Sequence, residues 1–528
     1  MSNFINPQSE CILLNVAIEN DYKNQYTFTS LAEQEAFFKS KATSKNFTKL
    51  TFIKDGQITV QGDVYSLYNA NYLMFKNTGF KDKWFYAFIT EINYVSENTS
   101  VINYELDVFQ SWYFDINYDS SFIVRKHVTD DTIGANTIEE NLGYGDYIFK
   151  NIQPLLAVSQ WYYFMLISED LATDKPYTLK YDNIFAGCVI YVFDNPDDVT
   201  TVIDSYVAKA KLDAIIDIYC VPDFAFNPDD VLGGYYKTDS HASSQNASYD
   251  FTNDTGLNGY TPKNNKLYCY PYNVIELTNN NGAAAVFKPE LFREYGSCKF
   301  NIVSSIANKV SSTCFPVNYQ IKQGEEDMDI GERYFNLDLG IGIDNYPHCI
   351  WTSDFYKNWY AQNYFNNNLN LGLGIGGGLL NIGVGLATGN PVAGVIGLGS
   401  IASSIAQVMG SQVKADITPN QAKGTMSNIN PLTANNAVGF YINHKTIKAE
   451  YAKAIDNYFE MFGYKVNSLE VPELRTRRYW NYIETKEINL HGDIPQNHLI
   501  KIKNMFNSGV TLWHDSDVGN YNRDNTIR

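Results

Sequence analysis

The chain is poor in positive charge and in the short motifs that mark most enzymes. Its 528 residues carry 40 Lys and Arg against 58 Asp and Glu, a formal net charge of −18. That balance argues against binding that works by neutralising phosphates. Seven cysteines, at 11, 188, 220, 269, 298, 314 and 349, include no C-x-x-C pair, and no histidine stands at zinc-ligand spacing. Neither a disulfide framework nor a zinc site is supported, and reduced thiols are expected. The opening MSNFINPQSE lacks a basic stretch followed by an apolar run, so no secretory signal is read and assembly in the cytoplasm is expected. No G-x-S-x-G, H-E-x-x-H or Walker loop occurs. Ser411 and Lys414 form an S-x-x-K without an S-D-N or K-T-G to accompany it. Gly372, Gly374 and Gly377 match G-x-G-x-x-G, but no acidic residue follows about 20 positions on. No catalytic residue, cofactor or metal is expected, and the chain is read as non-enzymatic.

Long apolar runs are scarce too, with one exception. No charged residue lies between Lys357 and Lys414, 56 positions, and twelve of the forty residues from 371 to 410 are glycine. The stretch is too long for an ordinary core helix and too rich in glycine for one rigid helix. Turn chemistry at Thr388-Gly389-Asn390-Pro391 divides it into arms at 371–386 and 392–413. Each arm approaches the ~20 helical residues that cross a hydrocarbon layer of ~30 Å, the first being short for it. Leu371, Ile375, Leu379, Leu380, Ile382, Val384 and Leu386 on the first arm would supply lipid contact. Val392, Val395, Ile396, Leu398, Ile401, Ile405 and Val408 would do so on the second. Gly374 and Gly378, Gly385 and Gly389, Gly399 and Ser403, and Ala402 and Ala406 are small residues four apart that let helices approach closely. The same spacing serves a buried helical hairpin, or a plug packed among copies of the chain. A single internal hairpin between polar Asn366-Asn367-Asn368 and Thr418-Pro419-Asn420 is unlike the Lys/Arg-flanked spans of an integral membrane protein. It reads as a conditional element, hidden first and deployed later.

Elsewhere the pattern favours strands. Aromatic residues reach 15%, with 40 Tyr, a composition of sheets and interfaces. Ser30 and Glu33 form a capping box ahead of a helix to about residue 41. Asp55-Gly56 between apolar-polar runs predicts a hairpin over 50–60. A second hairpin is predicted from 85–95 and 101–109, where Ile102, Tyr104, Leu106 and Val108 alternate with polar residues, giving one packed and one wet face. Strands at 161–167, 187–193 and 214–221 with a helix at 196–212 suggest an inserted ββαβ module. Residues 239–260 read as an exposed Ser/Asn-rich loop, 286–314 as a return to sheet, and 325–329 as a solvated acidic run. Helices are predicted at 448–462, with Tyr451, Ile455, Tyr458, Phe459 and Phe462 on one face, and after Pro495, with Leu499, Ile502, Met505 and Phe506 as its stripe. Gly463 and Gly509 end them.

The runs Asn71-Tyr72-Leu73-Met74-Phe75, Lys83-Trp84-Phe85-Tyr86-Ala87-Phe88-Ile89 and Tyr104-Glu105-Leu106-Asp107-Val108-Phe109-Gln110-Ser111-Trp112 resemble the tail knob, or distal tail tube, proteins of small short-tailed bacteriophages of Gram-positive hosts. Ser121-Phe122-Ile123-Val124-Arg125-Lys126-His127, Asn457-Tyr458-Phe459-Glu460-Met461-Phe462-Gly463-Tyr464, Trp480-Asn481-Tyr482 and Gly509-Val510-Thr511-Leu512-Trp513-His514 extend the likeness to roughly half the chain. The resemblance implies a homo-hexamer forming a β-rich tube at the tail end, where apolar loops plug the tip and later enter the host cytoplasmic membrane. It further implies contacts with the upper collar or connector and with tail-tip proteins, and passage of DNA without specific binding.

The expected fold is therefore mainly β (α+β), with antiparallel tube-forming domains, a few short helices and one long apolar hairpin. Domain boundaries are expected at 1–130, 131–290, 291–365, 366–417 and 418–528, with the apolar loop as the fourth segment. A pore-forming toxin would use a similar hairpin but would normally carry a secretion signal. A tail-borne cell-wall hydrolase or adhesin is the other alternative, favoured only by aromatic richness.

Overall fold

The computed structural model describes residues 8–50, 53, 56–77, 83–171, 177, 179–185, 188–209, 211, 214–226, 242–251, 256–305, 311–320, 339–344, 346, 348–350, 425–427 and 437–528. Two compact units emerge. One comprises Met1–Gly145, Tyr260–Leu267 and Ala449–Arg528, and the other Asp146–Gly259 and Tyr268–Lys448.

The first unit is organised by a six-stranded antiparallel sheet in the order Ala42–Leu50, Ser9–Leu14, Tyr72–Lys76, Trp84–Ser96, Thr99–Leu106 and Gln57–Gln61. Alternate side chains enter different cores, as the two-residue period of a strand requires. Cys11, Leu13, Leu73, Phe75 and Ile102 pack with Leu499, Ile502, Phe506 and Leu512, whereas Ile12, Leu14, Tyr72, Met74 and Tyr86 pack with Phe38, Trp480 and Trp513. The wet face expected from the alternation is found on Thr99–Leu106, on Gln57–Gln61 and on the second half of Trp84–Ser96, where Tyr94 is 64% exposed. In the central strands both faces are covered, and a continuous apolar run such as Tyr72–Phe75 is the sequence of a doubly buried strand.

The 84–106 hairpin forms, with Ile92 opposite Ile102 and Ser96 opposite Thr99. Its second strand stops at Leu106 because Asp107 caps a short helix, Val108–Trp112, by accepting the Gln110 amide at 3.1 Å. Of the hairpin expected around Asp55-Gly56, residues 51, 52, 54 and 55 lie outside the described residues, and the described strands on either side do not pair with each other. Ala42–Leu50 pairs with Ser9–Leu14 and Gln57–Gln61 pairs with Thr99–Leu106, at opposite edges of the sheet.

A second sheet of this unit runs Asn24–Tyr26, Val510–Trp513, Trp480–Glu487, Ser121–Lys126 and Tyr464–Glu470. Helix Leu31–Ser40 is capped as read: Ser30 Oγ accepts the Glu33 amide at 3.2 Å, and Glu33 reaches back to the Thr29 amide at 2.6 Å. Helices Ala449–Phe462 and Gln496–Ser508 end at Gly463 and Gly509, both at positive φ. At Gly463 a side chain would run into the Lys126 carbonyl, so only glycine fits. The second helix buries Leu499, Ile502, Met505 and Phe506, as read. The first buries Ala452, Ile455, Asp456 and Phe459, leaving Tyr451 38% exposed, so its inward face is rotated to include an aspartate.

That aspartate holds a strap, Tyr260–Leu267, which reaches this unit from the middle of the other unit's sequence. Asp456 accepts from Tyr260 Oη at 2.7 Å, from the amides of Lys263 and Asn264 at 2.8 and 3.1 Å, and from Asn264 Nδ2 at 2.8 Å. Asp131 accepts from the Asn265 amide at 3.1 Å and from Tyr464 Oη at 2.5 Å. Glu140, with its side chain fully buried, takes the Arg125 guanidinium, the Lys266 ammonium and the Lys465 amide.

The second unit contains an antiparallel sheet in the order Leu179–Phe185, Cys188–Phe193, Trp161–Ile167, Ile215–Pro222, His348–Ile350 and Thr425–Ser427. The expected ββαβ pattern is its core, with helix Pro196–Ala208 laying Val199, Val202, Ile203 and Tyr206 over Tyr163, Met165, Ile167, Tyr191 and Phe193. The other face, with Phe164, Val192, Tyr219 and Val221, joins a larger core including Ile275, Phe300 and Phe440. Two four-stranded sheets complete it, Tyr147–Ala157 with Gly439–Ile447, Asn273–Thr278 and Ala284–Phe287, and Ala242–Asp250 with Ser297–Ser305, Ser312–Pro316 and Ile341–Ile343. Part of the expected Ser/Asn loop is thus a strand, Ala242–Asp250, in unbroken register with Ser297–Ser305. Polar side chains pair across the strands, Asn301 Nδ2 to Asn246 Oδ1 at 2.8 Å, and Tyr249 is buried.

The mainly antiparallel β architecture with few helices matches the expected class. The apolar segment 366–417 and the acidic run 325–329 lie outside the described residues.

Glu140→Gln leaves two buried cations short of their counter-ion, and is expected to destabilise the protein by about 3–5 kcal/mol in chemical denaturation. Asp21→Asn, which removes the exposed pair with Lys23, is expected to change it by about 0.5 kcal/mol or less.

Candidate functional site

The residues expected to contact lipid, from 371 to 408, and the turn Thr388-Gly389-Asn390-Pro391 lie outside the described residues, but a strand on either side of them is described. His348–Ile350 and Thr425–Ser427 pair antiparallel, with His348 opposite Ser427, Cys349 opposite Met426 and Ile350 opposite Thr425. The chain therefore leaves the sheet at Ile350 and returns at Thr425, one strand spacing away, about 4.8 Å. Seventy-four residues, 351–424, begin and end on this two-strand base. His348–Ile350 also pairs with Ile215–Pro222, Tyr219 facing His348 and Asp217 facing Ile350. That neighbour is anchored on both faces: Tyr219 and Val221 lie in one core and Ile215 in the other. The base thus adjoins a strand whose movement would disturb two cores. No sequence signal marks it, because three-residue strands carry too little pattern.

The titratable groups are structural. His127 Nδ1 accepts the Tyr482 amide at 2.8 Å and Nε2 faces the Glu460 carbonyl at 3.0 Å, which fixes a neutral ring. Burial, and then the Arg477 charge, push its pKa down to about 3. His514, between Thr27 Oγ1 and Asn481 Oδ1, is pushed down to about 3 by burial and then by Arg475 and Arg528. Neither ring titrates near neutrality as a general base needs to. Burial also pushes the Cys11 thiol up to about 12, away from the nucleophilic thiolate. Among the described residues no group of three or more His, Cys, Asp or Glu is placed to hold a metal ion, and no helix is long and apolar enough to cross a membrane.

One carboxylate does titrate close to neutrality. Asp107 is fully buried, accepting Tyr72 Oη at 2.9 Å as well as the Gln110 amide, and burial raises its pKa from 3.8 to about 7 despite these bonds. A raised folded-state pKa contributes stability that is complete below the unfolded value and lost as pH rises through about 7. Asp131 and Glu460 are held up by burial in the same direction. Asp107→Asn keeps an acceptor for the Gln110 amide and cannot ionise. It is expected to flatten the decline in unfolding free energy between about pH 3 and about pH 8, an effect of up to about 4 kcal/mol at about 1.36 kcal/mol per pK unit.

Comparison with known proteins adds to this geometry. Residues 235–526 match the C-terminal domain of tail knob protein gp9 of Bacillus phage phi29, and residues 9–117 match the N-terminal part of caudoviral major tail proteins. The latter span contains the entire six-stranded sheet. Tail knob protein gp9 of Bacillus phage PZA is 30% identical, over 98% of each chain, and that of Bacillus phage phi29 is 28% identical with the same coverage. The solved structure of the bacteriophage C1 tail knob protein gp12 is similar with a TM-score of 0.61 at 16% identity, covering 99% of this chain and 100% of that one. At that identity the likeness shows a shared fold.

Proposed function

The chain belongs to the tail knob proteins of phi29-type short-tailed phages, so it is a structural component of the virion tail, and we propose that six copies form the conduit through which the genome leaves. Three features support the reading. In the six-stranded sheet every neighbouring pair is antiparallel, so the two outer strands, Ala42–Leu50 and Gln57–Gln61, run in opposite directions. One edge of a copy can then extend the ladder of the next in the same antiparallel sense, a head-to-tail contact of the kind that closes into a ring. A net charge of −18 per copy gives DNA a repelling environment with little to grip it in transit.

The third feature carries most weight: the 56-position uncharged stretch lies within a segment, 351–424, that leaves and rejoins one strand ladder at Ile350 and Thr425. Gathered at one end of a ring, such segments can pack together as a plug and later exchange protein neighbours for lipid in the host cytoplasmic membrane. Fourteen aliphatic side chains on the two arms, at about 1.5–3 kcal/mol for each one fully buried, would contribute on the order of 20 kcal/mol or more per chain before ordering costs. The ladder gives each pair of arms a common origin, so both enter together. Contacts with the collar or connector and with tail-tip proteins, and assembly in the host cytoplasm, belong to the same reading.

Deleting residues 372–412 is expected to leave tail assembly and adsorption unchanged and to abolish DNA delivery. Normal delivery by particles that merely leak would instead identify a static plug. Purified protein is expected to release dye from liposomes under a trigger such as lowered pH, and the deletion variant is expected not to.

A further inference from the structure

Arginine is unevenly distributed in this chain. Five of its eight arginines lie between 475 and 528. Arg523 is ion-paired with Asp515, whereas Arg475, Arg477, Arg478 and Arg528 meet no carboxylate at ion-pair distance among the described residues. Arg477 is spent inside the fold, donating to the carbonyls of Val128 and Asn525 at 3.0 and 3.5 Å. The other three converge. The Arg528 amide donates to the Thr476 carbonyl at 2.9 Å and its guanidinium to the Arg478 carbonyl at 3.0 Å, while the Arg478 amide donates to the Thr526 carbonyl at 3.0 Å. Arg475 is close enough for the Arg528 charge, after burial, to lower its pKa, and the two together depress His514. Its Nη1 donates to the Thr27 carbonyl at 2.7 Å, but its Nε is buried with no partner. The nearest acid acting on it, Glu33, is committed to the Thr29 amide and hydroxyl. Arg478 and Arg528 are exposed, and Ile527 beside them is 40% exposed.

In a chain with 18 surplus acidic charges, three clustered arginines with no carboxylate at ion-pair distance among the described residues can take carboxylates from outside, although Glu33 acts on Arg475 from further off and Arg478 lies over the Tyr479 ring. We propose that the surface formed by Arg475, Arg478 and Arg528 is an interface that receives carboxylates of a second copy of this chain. The inference rests on the ring reading above and adds to it the chemistry of one contact. Copies that each carry −18 repel one another, and a positive patch meeting an acidic face of the neighbour offsets this where they touch. Bidentate guanidinium–carboxylate pairs also fix orientation, which a head-to-tail ring requires. A nucleic-acid contact is the weaker reading, since three arginines in so acidic a molecule neutralise few phosphates.

The test uses the full-length chain in sedimentation velocity across protein concentration, at about 50 and about 500 mM salt. Wild-type assembly is expected to weaken at the higher salt. The double variant R478E/R528E changes only exposed side chains, and is expected to need at least about tenfold more protein to assemble at low salt. R478Q/R528Q should lose much of the salt dependence, and R478K/R528K should recover part of the affinity. Wild-type-like assembly by the charge-reversed chain overturns the inference while leaving the ring intact. So does a variant that assembles normally but loses DNA retention on filters, which would assign the patch to nucleic acid. A wild-type chain that stays monomeric throughout overturns the ring reading, and the inference with it.

Discussion

A run as apolar as residues 371–410 is kept from water either by protein or by lipid, and the segment that contains it, 351–424, begins and ends on one two-strand ladder. The constraint reaches outward from there. A base of two three-residue strands would fray alone. Here it continues a sheet whose neighbouring strand, Ile215–Pro222, is packed on both faces by Tyr219, Val221 and Ile215. The ladder from which the segment departs is thereby fixed to two cores.

The other unit solves a different problem, building one body from three separated parts of the chain. The six-stranded sheet is encoded within the first 106 residues, yet its two faces are closed by Trp480 and Trp513 on one side and by Leu499, Ile502 and Phe506 on the other. Hydrophobic burial fuses the first and last parts. The middle part, the strap Tyr260–Leu267, is too polar to be held that way, and three carboxylates, Asp456, Asp131 and Glu140, hold it instead. Buried ions add little net stability over an apolar alternative, but they tolerate few other arrangements of their partners. Here they place a short strap in one register.

How far the sequence could be read follows from the range of the forces involved. Elements specified locally were legible: the 84–106 hairpin, the Ser30 cap, the 161–222 module, and the helices ended by Gly463 and Gly509. Elements specified by distant partners were not. Asp55-Gly56 has the composition of a tight turn, but the strands around it find better partners at opposite edges of the sheet. Residues 242–250 look like a loop because their composition is polar, and what makes them a strand is the distant ladder with Ser297–Ser305, across which Asn246 and Asp250 find partners. Asp456 breaks the apolar stripe of its helix for the sake of strap amides almost two hundred residues earlier. Of the candidate site, the apolar arms are an expectation from composition that lies outside the described residues, and the ladder at 348–350 and 425–427 carried no sequence signal. The patch of arginines needed the structure as well, because only the pairing of 476–478 with 526–528 brings Arg528 to Arg475.

The central claim is that the arms pass from protein to lipid while the rest of the fold stays in water. The most direct measurement places an environment-sensitive fluorophore on single cysteines substituted at Ile382 and Ile401, with Tyr94, 64% exposed, as a control, and adds lipid-phase quenchers to liposomes. Both arm probes should blue-shift and be quenched from within the bilayer once insertion is triggered, with the control unaltered. Arm probes that never become accessible to lipid-phase quencher, under conditions in which virions deliver their genome, would contradict the account.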